Sequence, residues 1–364
     1  MKAARSVAVI GPCPPPFGGV TVHVRRLHDY LAEQRFPHTL YVSNGSAVEG
    51  AVVGRRSLWW FLGRFLRCRE AVVHVQTSRP DLLSLGVLLL RLRNRKVVGS
   101  LHGVWIPRSY ERANALARWF YRAGMRRLAL LLAANEGLKR FAMQVLQVPE
   151  QSVAVVPAFL PPSEESVRRA VLPQTVRDFL DSHRPVLCAS GVFGRFEPGP
   201  PGRDTYGFHL LVPLLSDLRR SRPGVGLLLV QTFCQDERHK SDFLARIEAA
   251  GLADHVLLVE DPLDEFAAVL QRCDVFLRPT YVDGDALSVR EAVWLGVATV
   301  ASDCVGRPPE CVLFETGSAE DLRVKTESVL ADISTGRTPP ARSAGYHAGP
   351  KIMEHYRQLL GGDE

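Results

Sequence analysis

The chain has 364 residues, of which 46% are hydrophobic, 8% aromatic and 23% charged, with seven cysteines and a formal net charge of +7. That length favours two domains with proper cores over one, and the composition does not make disorder the leading reading for any long stretch. The cysteines are odd in number, scattered and without a CxxC pair, which argues against a disulfide framework or a zinc site.

The charge is unevenly divided. Residues 1–165 hold 23 Lys/Arg against 10 Asp/Glu, whereas the remainder holds 22 against 28. A basic first half suits an anionic membrane surface or nucleic acid, and charge alone does not choose between them. Nucleic acid also calls for clustered stacking aromatics or a recognised motif, and neither is found, so no nucleic-acid partner is expected. The longest apolar run, about 11 residues from Leu82 to Leu92, falls short of the ~20 that span a bilayer. No secretory pattern opens the sequence. The expected location is the cytoplasm, with peripheral attachment to the inner face of the membrane as an option.

In chain order, Ser6 to Ile10 reads as a buried strand. Thr21 to Arg35 reads as a helix with Val24, Leu27 and Leu31 on one face. Val72 to Gln76, Val97 to Leu101 and Leu130 to Ala134 follow as strands, and Val153 to Val156 closes the first half. Strands separated by helical stretches imply parallel βαβ units. A second series begins at Pro185 to Gly191 and continues with Gly226 to Val230, Val256 to Val259, Val275 to Leu277 and Val297 to Ala301. Pro350 to Leu360 is expected to be helical, with Ile352, Tyr356 and Leu359 on one face. Two successive doubly wound halves are the simplest architecture, divided between about residues 160 and 184.

Three segments carry chemistry. Gly11 to Val20, with Gly18 and Gly19, lies between the first strand and the first helix, where open α/β sheets bind ligands and a helix start attracts anions. The same glycines also suit a tight turn. The loop is not GxGxxG, which weakens a dinucleotide reading. His102 follows the strand Val97 to Leu101 and faces the same crevice, or else is a satisfied, partly buried histidine. Thr280 to Ala292 follows another strand and opens a helix. Its helix-start amides can hold a diphosphate while Asp283, Asp285 and Glu291 accept hydroxyl donors. Helix capping by the aspartates and a solvated face for Glu291 are the alternatives.

Asp283-Gly-x5-x-Glu291 resembles the Glu-x7-Glu segment of retaining glycosyltransferases of the GT-B class, family 4 (group 1), with Asp for the first Glu. Gly18-Gly19-Val20, Leu101-His102-Gly103, Val153 to Pro157, Ala189-Ser190-Gly191, Cys273 to Thr280 and Gly296 to Asp303 are each similar to segments of that family, in order, across nearly the whole chain. The resemblance implies an α/β fold of two facing, doubly wound Rossmann-like domains with a cleft between them. They would comprise an acceptor-side domain (1–165), a nucleotide-sugar-binding domain (184–345) and a C-terminal helix (346–364) returning to the first. It also implies transfer of a hexosyl group from a UDP- or GDP-sugar, with retention, to a glycan or lipid-linked acceptor in surface polysaccharide or glycolipid synthesis. No cofactor beyond the donor substrate is implied. By the same resemblance, His102 and Asp283 would serve the transferred sugar as the catalytic pair and Glu291 the ribose. Gly18, Gly19, Arg195, Asp285 and the amides of Ala286 and Leu287 would complete the donor site.

One departure concerns the diphosphate. The family has an Arg after the glycine turn, which Arg195 supplies, and a Lys-Gly pair further on, where this sequence reads Tyr206-Gly207; Arg203 is a candidate substitute. Asp283-Gly-Asp285 also mimics the Asp-x-Asp metal motif of the other glycosyltransferase fold, but two acids rarely complete an ion site, and no metal is expected. The rival readings are a nucleotide-sugar epimerase on the same fold and a catalytically weak GT-B binding subunit.

Overall fold

The computed structural model describes residues 4–54, 57–103, 105–194, 204–336 and 347–361. The chain divides into two compact units, one of residues 1–160 with 347–364 and one of residues 161–346.

The first unit runs β1 (Ala4–Gly11), α1 (Gly19–Glu33), β2 (His38–Val42), β3 (Val52–Val53), α2 (Leu58–Arg67), β4 (Glu70–Val75), α3 (Pro80–Arg91), β5 (Lys96–Leu101), α4 (Trp105–Glu111), α5 (Ala115–Met125), β6 (Leu130–Ala133), α6 (Glu136–Gln144) and β7 (Val153–Val155). The second runs α7 (Glu164–Arg169), α8 (Gln174–Ser182), β8 (Val186–Phe193), α9 (Leu211–Ser221), β9 (Gly226–Cys234), α10 (Glu237–Ala249), β10 (Val256–Val259), α11 (Phe266–Leu270), β11 (Val275–Arg278), α12 (Leu287–Trp294), β12 (Ala298–Ser302), β13 (Val312–Phe314) and α13 (Ala319–Ser334). The last helix, α14 (Ala348–Leu360), belongs to the first unit.

Both sheets are parallel wherever strands pair. Their orders are β3-β2-β1-β4-β5-β6-β7 and β10-β9-β8-β11-β12-β13. Each winds outward in both directions from its first strand, as Rossmann-like halves do. Such sheets are covered on both faces, and the side chains of β8 divide accordingly. Leu187 and Ala189 enter one core with Leu214, Leu218 and Phe314, while Val186 and Cys188 enter the other with Phe276 and Val289. In the first unit, Val24, Leu27 and Leu31 of α1 share a core with Ile352 and Tyr356 of α14. The apolar stripe expected on the last helix is thus the surface by which α14 packs with α1, β1 and β4.

Candidate active site

A doubly wound sheet opens a crevice where strands beside the first one lead away in opposite directions. In the second unit that point lies between β8 and β11. The Tyr206-Gly207 turn packs there. A Cβ on Gly191 would meet Tyr206 Cδ1 at 2.3 Å, and one on Gly207, whose φ is +66°, would meet the Pro279 carbonyl oxygen at 2.0 Å. Both glycines are therefore fixed by packing inside the unit. The turn presents the Tyr206 ring to Arg278, whose Cζ lies 5.0 Å from the ring centroid.

Arg278, the last residue of β11, is 8% exposed. It donates from Nε to Asp283 Oδ2 (3.0 Å), from Nη2 to Asp283 Oδ1 (3.2 Å) and from Nη1 to the Ser190 carbonyl (3.0 Å). Arg307 meets the same carboxylate from the other side, Nη1 to Asp283 Oδ2 at 2.9 Å, and donates to the Ser302 carbonyl and Thr280 Oγ1. Thr280 Oγ1 and the Gly284 amide also donate to Asp283. Burial works against the Asp283 charge, and the two guanidiniums override it, holding the carboxyl well below the ordinary carboxylate range. Two buried arginines thus share one carboxylate, leaving a positive excess at the carboxyl edge of the sheet. Among the described residues no other carboxylate lies within ion-pair distance of either one.

This arrangement bears on the expected ligand role of Asp283, because its oxygens are already engaged by five donors from within the unit. Nor does it cap α12. The N-cap is Ala286, without a side-chain cap, and Asp285 is paired with Arg290 Nε. Neither aspartate is thus the N-cap residue of α12. Ala286 and Leu287 open α12, as expected, at a helix start that attracts anions. One turn in, Glu291 is 3% exposed, so the solvated-face alternative for it is excluded. Arg195 and Arg203 lie outside the described residues.

In the first unit the switch point lies between β1 and β4. Gly18 is the N-cap of α1 in extended conformation. A Cβ there would meet only Thr21 Oγ1, at 3.9 Å, and one on Gly19 would meet nothing within 4 Å. Space in front of this backbone lets a ligand approach closely. His102 stands at the end of β5, half-buried, with Nε2 2.5 Å from Gln76 Oε1 and its ring 4.5 Å from that of His23. The satisfied, partly buried histidine foreseen as the alternative matches these surroundings, with Gln76 as the partner.

Arg278, Arg307 and Gln76 are functional candidates that sequence reasoning passed over. Arg278 carried a usable signal, a charged residue as the last position of an otherwise apolar buried strand. Arg307 carried none, since it joins the cluster across 24 residues of chain.

The chain matches the model for Glycosyltransferase Family 4 over residues 17–164 and that for Glycosyl transferases group 1 over residues 202–332. No curated protein sequence matches it. Among solved structures, a glycosyltransferase from Rickettsia africae superposes with a TM-score of 0.75 at 14% identity, covering 98% of this chain and 99% of that one. Sucrose-phosphate synthase from Thermosynechococcus elongatus gives 0.70 at 18%, covering 99% and 100%. Anabaena HepE in complex with UDP gives 0.68 at 14%, covering 97% and 100%. At these identities the likeness concerns the fold, which is that of the GT-B glycosyltransferases.

Proposed function

We propose that this chain, which belongs to the group 1 glycosyltransferases of the GT-B fold, transfers a hexosyl group from a UDP- or GDP-sugar, with retention, to a glycan or lipid-linked acceptor in surface polysaccharide or glycolipid synthesis. The observation that carries this reading is the buried positive excess of Arg278 and Arg307 over Asp283, next to the start of α12. Burying a guanidinium without a counter-charge is costly, and a donor diphosphate supplies that counter-charge. These arginines stand in for the family's phosphate Lys, with Arg278 laid on the Tyr206 ring at the position where that Lys is missing. Asp283 then acts by aiming the two guanidiniums, and Glu291 takes the ribose hydroxyls. His102 serves the transferred sugar, beside a first loop left open at Gly18 and Gly19. Catalysis rests on positioning and on stabilising the leaving diphosphate, with no carboxylate nucleophile of the glycosidase kind. UDP and UDP-glucose occur in HepE complexes, which favours a nucleotide-sugar donor here.

A thermal-shift panel of nucleotides and NDP-sugars tests the reading, since a ligand of the folded state alone raises the melting temperature. One NDP family should raise it, equally with and without chelator, because arginines rather than a cation meet the diphosphate. A panel without any shift would refute donor binding. A shift abolished by chelator and restored by Mg²⁺ would refute metal independence.

The acceptor side of the proposal places the first unit on an anionic membrane. No helix among the described residues is long and apolar enough to cross one. In the basic stretch around α2, Trp60 packs over Gly54 and Arg64 stacks on Tyr41 at 4.6 Å, so these two face inward. Residues 55 and 56, and the side chains of residues 58, 61, 62, 65 and 66, lie outside the description. Trp59, however, is 81% exposed, and Leu116 and Trp119 on α5 are 74% and 65% exposed. Trp59 and Leu116 are the second residues of α2 and α5, Trp119 lies about one turn further into α5, and Arg108 and Arg112 shortly precede the α5 pair in sequence. Exposed tryptophans beside arginines match a bilayer interface. Vesicles containing anionic lipid should therefore sediment the protein at low salt and release it at high salt, and Trp119→Ala should weaken the binding. Absence of binding at low salt, or binding indifferent to lipid charge, would favour a soluble acceptor.

A further inference from the structure

A chain of buried polar side chains runs through the first unit to His102. Tyr356 of α14 and His74 of β4 are both fully buried, with Tyr356 Oη 2.5 Å from His74 Nδ1. His74 Nε2 lies 2.7 Å from Ser100 Oγ and 3.1 Å from Gln76 Nε2. Gln76, also fully buried, reaches His102 Nε2 through Oε1. Its main chain is pinned as well. The Gln76 amide donates to the Ile10 carbonyl, and a Cβ on Gly11 would lie 2.8 Å from Gln76 Cβ. Gly11 thus has a packing reason of its own, apart from any ligand.

A carboxamide has one end that only donates and one that only accepts. With its nitrogen towards His74 and its oxygen towards His102, Gln76 sets both rings. His74 Nε2 must be bare, so its proton sits on Nδ1 and is donated to Tyr356 Oη. His102 must carry its proton on Nε2 and donate it to Gln76. We propose that Gln76 is the positioning residue of His102, held by His74 and Tyr356 so that His102 offers an unprotonated Nδ1 as a hydrogen-bond acceptor. The ligand class is a hydroxyl donor, and a sugar hydroxyl fits; this last step rests on the function proposed above.

The titratable side chains around His102 are His23 on α1, His74 on β4 and Tyr356 on α14, with Arg26 beyond His23. Burial, then His23 and His74, push His102 well below the ordinary histidine range. Burial brings His74 to about 3 and His23 to about 4. The cluster is therefore neutral at physiological pH, as the tautomer argument requires.

Nitrogen NMR of histidine-labelled full-length protein reads the tautomer directly, with the His102 signals identified by their loss in His102→Gln. An unprotonated Nδ1 and a protonated Nε2 at neutral pH are expected; the opposite tautomer, or an imidazolium, would overturn the proposal whatever the enzyme's activity. Gln76→Glu provides the kinetic arm. A carboxylate facing Nε2 raises the His102 pKa, so turnover should fall in this variant as pH drops from 7 to 6, an interval over which the native enzyme should show no such fall. Gln76→Met should lower kcat by about ten-fold or more while nucleotide affinity is kept. If both variants stay folded and neither the pH profile nor kcat changes, Gln76 does not position His102. If the tautomer is as stated but no transfer occurs in the native protein, the proposed activity fails and the positioning stands.

Discussion

Asp283→Ala should cost the folded protein about 3–5 kcal/mol, the range for removing one partner of a buried ion pair. The loss is large because two guanidiniums depend on this one carboxylate. Arg278 and Arg307 have side chains 10% and 2% exposed, and both would keep their charge with no counter-ion. Asp283→Asn should cost nearly as much, since an isosteric amide keeps the shape but removes the charge. The dependence on pH has a definite sign. The folded pKa of Asp283 is depressed, so its contribution is fully present above the unfolded value near 3.9 and is lost as pH falls below it. Urea unfolding of the native and Asn forms should show a gap that is constant above about pH 5, begins to narrow as pH falls below the unfolded value, and closes only as pH falls through the depressed folded value. A gap under about 1 kcal/mol, unchanged with pH, would mean that the cluster carries little energy and that Asp283 is free for another role.

That outcome turns on partners that the sequence could not display. The strands were legible wherever apolar residues ran together, as in Val256–Val259, or alternated between two cores. β3 and β13 went unread because an edge strand of two or three residues leaves almost no periodic signal. β2 went unread because its first residues, His38 and Thr39, are polar. The site divides in the same manner. A motif fixes where Asp283 and Glu291 lie along the chain, and a strand-to-helix turn fixes the edge of the sheet they reach. What each carboxylate touches depends on residues brought in from elsewhere. Arg307 arrives from the loop beyond β12, and the carboxylate it shares with Arg278 makes Asp283 the hub of an ion cluster. His102 was placed correctly at the end of β5, yet Gln76, which fixes its ring, follows a different strand and reads as an ordinary polar residue.

Glu291→Ala should weaken nucleotide binding by roughly 1.5–3 kcal/mol, the range for hydrogen bonds to a charged group, or about ten- to 150-fold in Kd. Glu291 is suited to the role by place and by burial. It follows the start of α12 by about one turn, so a ligand whose diphosphate lies at that start has its ribose within reach of the next turn. At 3% exposure, a carboxylate here is not a surface charge whose removal goes unnoticed. A stability effect has to be separated from a binding effect, and the ligand itself can do so. In the native protein, calorimetry should find the 2′-deoxy form of the preferred nucleotide weaker than the ribonucleotide. In Glu291→Ala the two should bind alike, because the group that distinguishes them is gone, whereas a generally loosened site would weaken both and preserve their ratio. Glu291→Gln should fall between, keeping one acceptor oxygen without the charge. A folded Glu291→Ala protein with native affinity, or one that still discriminates the 2′-hydroxyl as strongly, would move Glu291 out of the ribose site and leave it as a buried structural acid of α12.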